Sequence, residues 1–373
     1  MRKKVLIFYI SKFSGHYHAA EAIEKGLQKT CPDDVLIEKI NALEYTNPLL
    51  GKVINKAYIE IIKKRPELWG HIYDNPDFME KTQRTRDALH KFNMSKIRRL
   101  MEKHSPDVVF CTQAFPCGMV SDYKRSCGKR FSLIGVLTDH APHSYWLFAE
   151  VDKYVVPSNG TRDVLVRKGV PEEKIKVFGI PVDPRFEQTL DASAIKRRLS
   201  LDESLPVVLI MGGSQGLGAV ENVVRSLSTD PVHRYHLLVV AGKNKRLYSR
   251  IKHLAKASGG GKVNVFSYLE NIDELMEIAD IIVTKAGGMT TSEAIVKKLP
   301  MVIVDPIPGH ERMNADFLVK SGAAVEADGY ARVPEIIDGI FDSPERLEDM
   351  VSCIEKIARP GSASNIASLA IED

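Results

Sequence analysis

The sequence predicts an α/β protein made of two doubly wound domains, each with a parallel sheet. Three observations carry that expectation. Twelve short apolar runs, three to seven residues long, alternate with longer amphipathic segments, the rhythm of repeated βαβ units. The runs are continuous rather than alternating apolar and polar, as expected of strands covered by helices on both faces. The runs fall into two series separated by Gly179-Ile180-Pro181-Val182-Asp183-Pro184, where two prolines and a glycine stop any regular element.

The first series of strands is read at Lys4–Ile10, Val35–Ile40, Val108–Cys111, Ser132–Val136, Lys153–Val156 and Lys176–Phe178. The second is read at Val207–Met211, His236–Val240, Val263–Phe266, Ile281–Thr284, Met301–Val304 and Ala324–Glu326. The expected domains are 1–185 and 186–373, with a helix after Pro344 crossing back to the first. Ligands of such sheets bind beyond the carboxyl ends of the strands, so a cleft between the two domains is the expected site. The six-residue run Val5–Ile10 follows three basic residues and resembles a leader. It is shorter than the roughly 7–15 residues of a leader's apolar segment, so it reads as a first buried strand.

Lys and Arg number 52 against 48 Asp and Glu, a net charge of +4 that gives no support to a nucleic-acid partner. Five cysteines without paired spacing read as reduced thiols in the cytoplasm. No apolar run reaches the roughly 18 residues that span a bilayer. The charge is unevenly placed. Residues 51–104, within a strandless insertion at 48–104, hold 13 basic and 7 acidic residues, an excess larger than that of the whole chain. Lys63, Lys64, Arg65 and Trp69 lie in this basic, aromatic-bearing stretch, which suits a membrane surface. A pair of ordinary amphipathic helices accounts for the same composition.

Five motifs fall at strand ends. Ser14-Gly15-His16-Tyr17-His18 lies between the first strand and a helix expected from about Ala19. A histidine there can accept a proton near neutral pH, or simply pack at the turn. Gly212-Gly213-Ser214-Gln215-Gly216-Leu217-Gly218 follows Val207–Met211 and suits a phosphate-cradling loop, although it is neither a P-loop nor an in-register G-x-G-x-x-G. Thr284 to Glu293 carries Gly287, Gly288, Met289, Thr290 and Thr291 at another helix start, where Glu293 is placed to hold a ribose diol or to complement the helix dipole. Pro308-Gly309-His310-Glu311 with Asn314 crowds polar groups after Met301–Val304, suited to sugar hydroxyls or to capping. Thr138-Asp139-His140 through His143 and Trp146 follows Ser132–Val136, and no third ligand supports a metal there. No Asp-x-Asp or Walker signature occurs.

Together these motifs resemble the monogalactosyldiacylglycerol synthase and processive diacylglycerol glucosyltransferase family, glycosyltransferases of family 28 with the two-domain GT-B fold. The carriers are Gly15-His16, Thr138-Asp139 with His143 and Trp146, Val151 to Ser158, Gly179 to Val182, Gly212-Gly213, Lys285-Ala286-Gly287-Gly288 with Glu293, and Pro308 to Glu311 with Asn314. The resemblance implies two Rossmann-like domains facing a cleft. It implies an inverting, metal-independent transfer from UDP-glucose or UDP-galactose to diacylglycerol at the cytosolic membrane face, with no cofactor and with anionic lipids as partners.

By position it implies that His16 is the base and Asp139 the acceptor-side carboxylate. The donor would be met by Gly15, Gly212, Gly213, Ser214, Gln215, Gly216, Leu269, Gly287, Gly288, Met289, Thr290, Thr291, Glu293, Gly309, His310, Glu311 and Asn314. The acceptor or membrane would be met by His143, Trp146, Lys63, Lys64, Arg65 and Trp69. A muramyl-peptide N-acetylglucosaminyltransferase and a UDP-sugar 2-epimerase of the same fold are the alternatives. The oligomeric state stays open.

Overall fold

The computed structural model describes residues 2–12, 14–47, 92–128, 130–140, 144–228, 234–257 and 262–372. The chain divides into two compact units. The first comprises Met1–Pro184, Pro308–His310 and Arg359–Asp373, and the second Arg185–Ile307 and Glu311–Ala358. Among the described residues no helix is long and apolar enough to cross a membrane.

The first unit is built on β1 (Lys3–Tyr9), β2 (Val35–Asn41), β3 (Val108–Cys111), β4 (Ser132–Val136), β5 (Lys153–Val155) and β6 (Ile175–Lys176), in the order β2-β1-β3-β4-β5-β6. Every pairing is parallel. The side chains of β1 serve both faces in turn. Leu6 and Phe8 enter one apolar cluster, and Val5, Ile7 and Tyr9 enter the other. Covered strands of this kind have no polar side to present, which is why the run is continuous in sequence.

The second unit repeats the plan with β7 (Val207–Met211), β8 (His236–Val240), β9 (Val263–Phe266), β10 (Ile281–Thr284), β11 (Met301–Val304) and β12 (Ala324–Ala327), in the order β12-β11-β10-β7-β8-β9. These pairings are parallel too. Each sheet has one point where successive connections leave in opposite directions, between β1 and β3 and between β7 and β10. Ligands of doubly wound sheets bind at that point.

Three local departures from the sequence reading have simple causes. The first helix spans Gly15–Thr30, not Ala19 onward, because Ser14 caps it and accepts from the Tyr17 amide. His16 and His18 therefore lie in its first two turns. β6 ends at Lys176, since the next backbone bond to β5's extension comes only from the Gly179 amide to the Val156 carbonyl. The 48–104 insertion is described only from 92 onward, where residues 92–104 are helical. Lys63, Lys64, Arg65, Trp69 and His143 lie outside the described residues.

The C-terminus belongs to two units. The helix Pro344–Ile357 lies in the second, whereas Ser362–Ser368 packs in the first, where Ile366 and Ala367 share a cluster with Ile23 and Leu27 of the first helix. Helix Gly15–Thr30 approaches this segment so closely that a Cβ on Gly26 would sit 2.4 Å from the Ala363 carbonyl oxygen. Gly26→Ala should therefore lower stability by about 1–3 kcal/mol, the usual scale of overpacking. Urea unfolding of the full chain measures it, and an unchanged midpoint would contradict the close fit.

Candidate active site

In the first unit, the chain leaves β1 through Ser11, which holds a positive φ of 55°, and enters the first helix at Gly15. Ser14 Oγ donates to the Ser11 carbonyl at 2.8 Å and receives the Tyr17 amide at 3.4 Å, closing the turn. His16 thus projects from the first helical turn at the switch point. Thr112, the residue after β3, is fully buried. Its hydroxyl lies 2.9 Å from the His16 carbonyl and 3.2 Å from that of Phe8, and its amide donates to the same Phe8 oxygen at 3.0 Å. Thr138, two residues beyond β4, places its hydroxyl 3.1 Å from Nδ1 of His16. One histidine is therefore held by its main chain from β3 and by its ring from β4.

Burial lowers the His16 pKa below its ordinary value. The Asp139 charge and the Thr112 backbone oppose that shift, while His310 adds to it. Asp139 is half-buried. Burial lowers His140 too, to about 3, so its ring is neutral at physiological pH. Its carbonyl accepts from Thr161 Oγ1 at 2.7 Å, which ties the segment after β4 to the helix Asn159–Arg167. Trp146 is only 5% exposed and packs in the core beside Gly135 and Tyr154. An acceptor or membrane-facing role does not suit so enclosed a ring.

In the second unit, the loop Gly212–Gly218 leaves β7 and the loop Lys285–Gly287 leaves its neighbour β10. Thr284 Oγ1 donates to the Met211 carbonyl at 2.8 Å and joins the two strand ends. Gly216 has φ of +57° and packs on the turn after β8, where a Cβ would fall 2.1 Å from the Ala241 carbonyl oxygen. No other residue type fits there. Gly213, Ser214 and Gln215 are half-buried along the open side of the loop.

The side chain of Lys285 runs past these glycines. Its Cε lies 3.7 Å from where a Cβ would stand on Gly213, and its Nζ 3.5 Å from that point on Gly287. The ammonium pairs with Glu311. Glu311 is 2% exposed, and its other carboxylate oxygen accepts the Ile307 amide at 3.1 Å. Asn314, fully buried, donates to the Ala286 carbonyl at 3.0 Å. Glu311 and Asn314 therefore hold the Lys285-Ala286-Gly287 loop from beneath.

The helix Gly288–Val296 starts at Gly287 without a side-chain cap. Its first amides, the loop glycines and the Lys285 ammonium form one electropositive surface, the chemistry that receives a diphosphate. Thr291 is not part of that surface. It is fully buried, and its hydroxyl donates back toward the Gly287 and Gly288 carbonyls at 3.0 and 3.2 Å. Thr290 is buried, and Met289, Glu293 and Leu269 are half-buried, the last in the loop after β9. Gly309, with φ of +95°, and His310 are half-buried and group with the first unit, apart from Glu311.

The sequence motifs alone assign no site role to Thr112, Thr138 or Lys285. Lys285 was the legible one, because a cation directly after a strand and before two glycines stands where an anion would bind. Thr112 gave no local sign, and Thr138 stood in a recognised motif whose bond to His16 spans 122 residues of sequence.

Two six-stranded parallel sheets, each with a turn and helix start at its switch point, define a protein of the GT-B class. The structure aligns with the MurG protein of Acinetobacter baumannii at a TM-score of 0.62 and 16% identity, covering 99% of both chains. It aligns with a UDP-GlcNAc 2-epimerase of Neisseria meningitidis at 0.64 and 14% identity, covering 99% of this chain and 100% of the other. It also aligns with Anabaena Alr3699/HepE, solved with UDP-glucose, at 0.59 and 15% identity, covering 99% and 98%.

In sequence, residues 16–182 match the monogalactosyldiacylglycerol (MGDG) synthase model, and 207–362 match the C-terminal domain of glycosyltransferase family 28. The processive diacylglycerol β-glucosyltransferase of Bacillus mycoides is 30% identical over 97% of this chain and 92% of its own length. That of Bacillus subtilis is 28% identical over 98% and 94%. The chain belongs to the monogalactosyldiacylglycerol synthase and processive diacylglycerol glucosyltransferase family, within glycosyltransferase family 28.

The lowered His16 pKa has a signed consequence. Folding favours the neutral ring, so its share of stability is complete above the unfolded value near 6.5 and declines as pH falls below it. An NMR titration of His16 in the full chain should give a midpoint below 6.5. A midpoint at or above that value would contradict the buried setting.

Proposed function

We propose that the chain transfers a hexose from UDP-glucose or UDP-galactose to the free hydroxyl of diacylglycerol, with inversion, at the cytosolic face of the membrane. The observation that carries this reading is the full-length match to relatives named processive diacylglycerol β-glucosyltransferase. HepE, a structural neighbour solved with UDP-glucose, supports the donor class.

In this reading His16 takes the proton of the acceptor hydroxyl as that oxygen attacks the sugar's anomeric carbon. The bond from that carbon to the diphosphate oxygen breaks, and UDP leaves with the electron pair. The charge that develops on UDP is met by the Gly212–Gly218 amides, the start of the helix Gly288–Val296 and Lys285. Glu293 holds the ribose diol, the backbone near Leu269 faces the uracil, and Gly309 and His310 line the sugar. Asp139 steadies the acceptor. The lack of an Asp-x-Asp pair in the sequence fits a diphosphate held by amides and an ammonium, with no divalent cation. The basic, aromatic stretch with Lys63, Lys64, Arg65 and Trp69 supplies the membrane contact, attracted to anionic lipids.

The test is to incubate the chain with each UDP-sugar and diacylglycerol vesicles, then measure UDP and glycolipid together. Stoichiometric UDP and glycosyldiacylglycerol are expected from UDP-glucose or UDP-galactose. Transfer only from UDP-GlcNAc to a lipid-linked muramyl acceptor, or epimerisation of UDP-GlcNAc without any acceptor, would replace this reading with one of its fold-mates. His16→Ala should lower kcat by roughly 10²–10⁴-fold, the usual worth of a general base, while calorimetry still registers UDP binding.

A further inference from the structure

Two hydroxyls from the ends of two strands grip His16, and they do different things. Thr112 holds the main chain, with its hydroxyl 2.9 Å from the His16 carbonyl. Thr138 holds the ring, 3.1 Å from Nδ1. Thr138 is itself well placed for this. It is 6% exposed, and the preceding residue, Leu137, donates its amide to the Val155 carbonyl at 2.9 Å, extending the sheet to the edge of the site. The hydroxyl is thus delivered by rigid backbone rather than by a loose loop.

A neutral imidazole carries one N–H, and the bond made by one nitrogen decides which of them is free to accept a proton. We propose that Thr138 is a positioning residue for the reaction: its hydroxyl oxygen accepts the Nδ1–H of His16, which leaves the lone pair on Nε2 to receive the acceptor's proton. This rests on the reading of His16 as the base. When Nε2 takes up the proton, the Nδ1–H bond to Thr138 is already in place and nothing has to turn. A hydroxyl has no negative charge to stabilise the imidazolium, so the charge nearby comes from Asp139, the adjacent residue. That arrangement suits a base that must release its proton again after each turnover.

Thr138→Val keeps the shape and removes the acceptor. The ring then gains by shifting its proton to Nε2, the form that cannot act as a base at that nitrogen. The experiment uses the full chain in three forms: wild type, Thr138→Val and Thr138→Ser. The ¹⁵N spectrum of the imidazole reads the tautomer directly. Nδ1–H is expected in the wild type and in Thr138→Ser, and Nε2–H in Thr138→Val. Turnover should fall about 5–150-fold in the valine variant, the scale of one buried hydrogen bond, with UDP affinity unchanged. Its acid limb of kcat should move to lower pH, because the imidazolium has lost a hydrogen-bond acceptor. Serine should restore both.

An Nε2–H tautomer in the wild type would overturn the proposal. So would a valine variant with the wild-type tautomer and kcat, or a folded serine variant as impaired as valine. His16→Ala measured alongside separates the two levels. If it turns over normally, the base reading itself fails. If it is inactive while Thr138→Val is normal, only the role of Thr138 fails.

Discussion

The structure depends on how two adjacent parallel strands are joined where their connections diverge. At such a point the strand ends open outward, and their last carbonyls look into the space that a ligand would enter. In each unit a threonine beside the neighbouring strand bonds one of those carbonyls. Thr112 reaches the Phe8 oxygen of β1 with its amide, and Thr284 reaches the Met211 oxygen of β7 with its hydroxyl. Buried carbonyls need such partners, and a side chain that bonds its neighbour's backbone also fixes the spacing of the two ends. Three groups follow from those ends within a few residues: His16 after β1, the glycine loop after β7 and Lys285 after β10.

The two units put the same frame to different uses. In the first, a short serine-capped turn delivers one titratable ring, whose charged form is disfavoured by burial. In the second, glycines replace side chains, so that main-chain amides and one ammonium form the surface. Lys285 is tolerated in so enclosed a place because Glu311 neutralises it and the Ile307 amide occupies Glu311's second oxygen. A buried pair of this kind costs desolvation, and its retention is better explained by the charge it keeps at the site than by stability.

All twelve strands were legible, because strands covered on both faces leave continuous apolar runs. The start of the first helix was not, since Gly15, His16 and His18 are poor helix formers and the Ser14 cap was the better guide. Thr291 and Trp146 are more enclosed than their expected roles suggest. A hydroxyl at a helix start looks ligand-facing, yet Thr291 spends its bond on the preceding turn. The resemblance places Trp146 with the acceptor, and in the structure its ring fills the space beside Gly135. Glu311 and Asn314 lie in the first turns of the helix His310–Lys320, and their bonds point inward to Lys285 and Ala286. The threonines that bridge strands were invisible, because a hydrogen bond between residues 8 and 112 or 211 and 284 is a property of the topology and leaves no local pattern.

The central claim is that one surface at the β7–β10 switch point receives the nucleotide diphosphate. Determining the structure of the full chain with UDP bound tests it most directly. The account predicts the diphosphate against the Gly213–Gly218 amides and the start of the helix Gly288–Val296, with Lys285 Nζ at hydrogen-bond distance. UDP density elsewhere, or at that loop with Lys285 still turned wholly to Glu311, would contradict it.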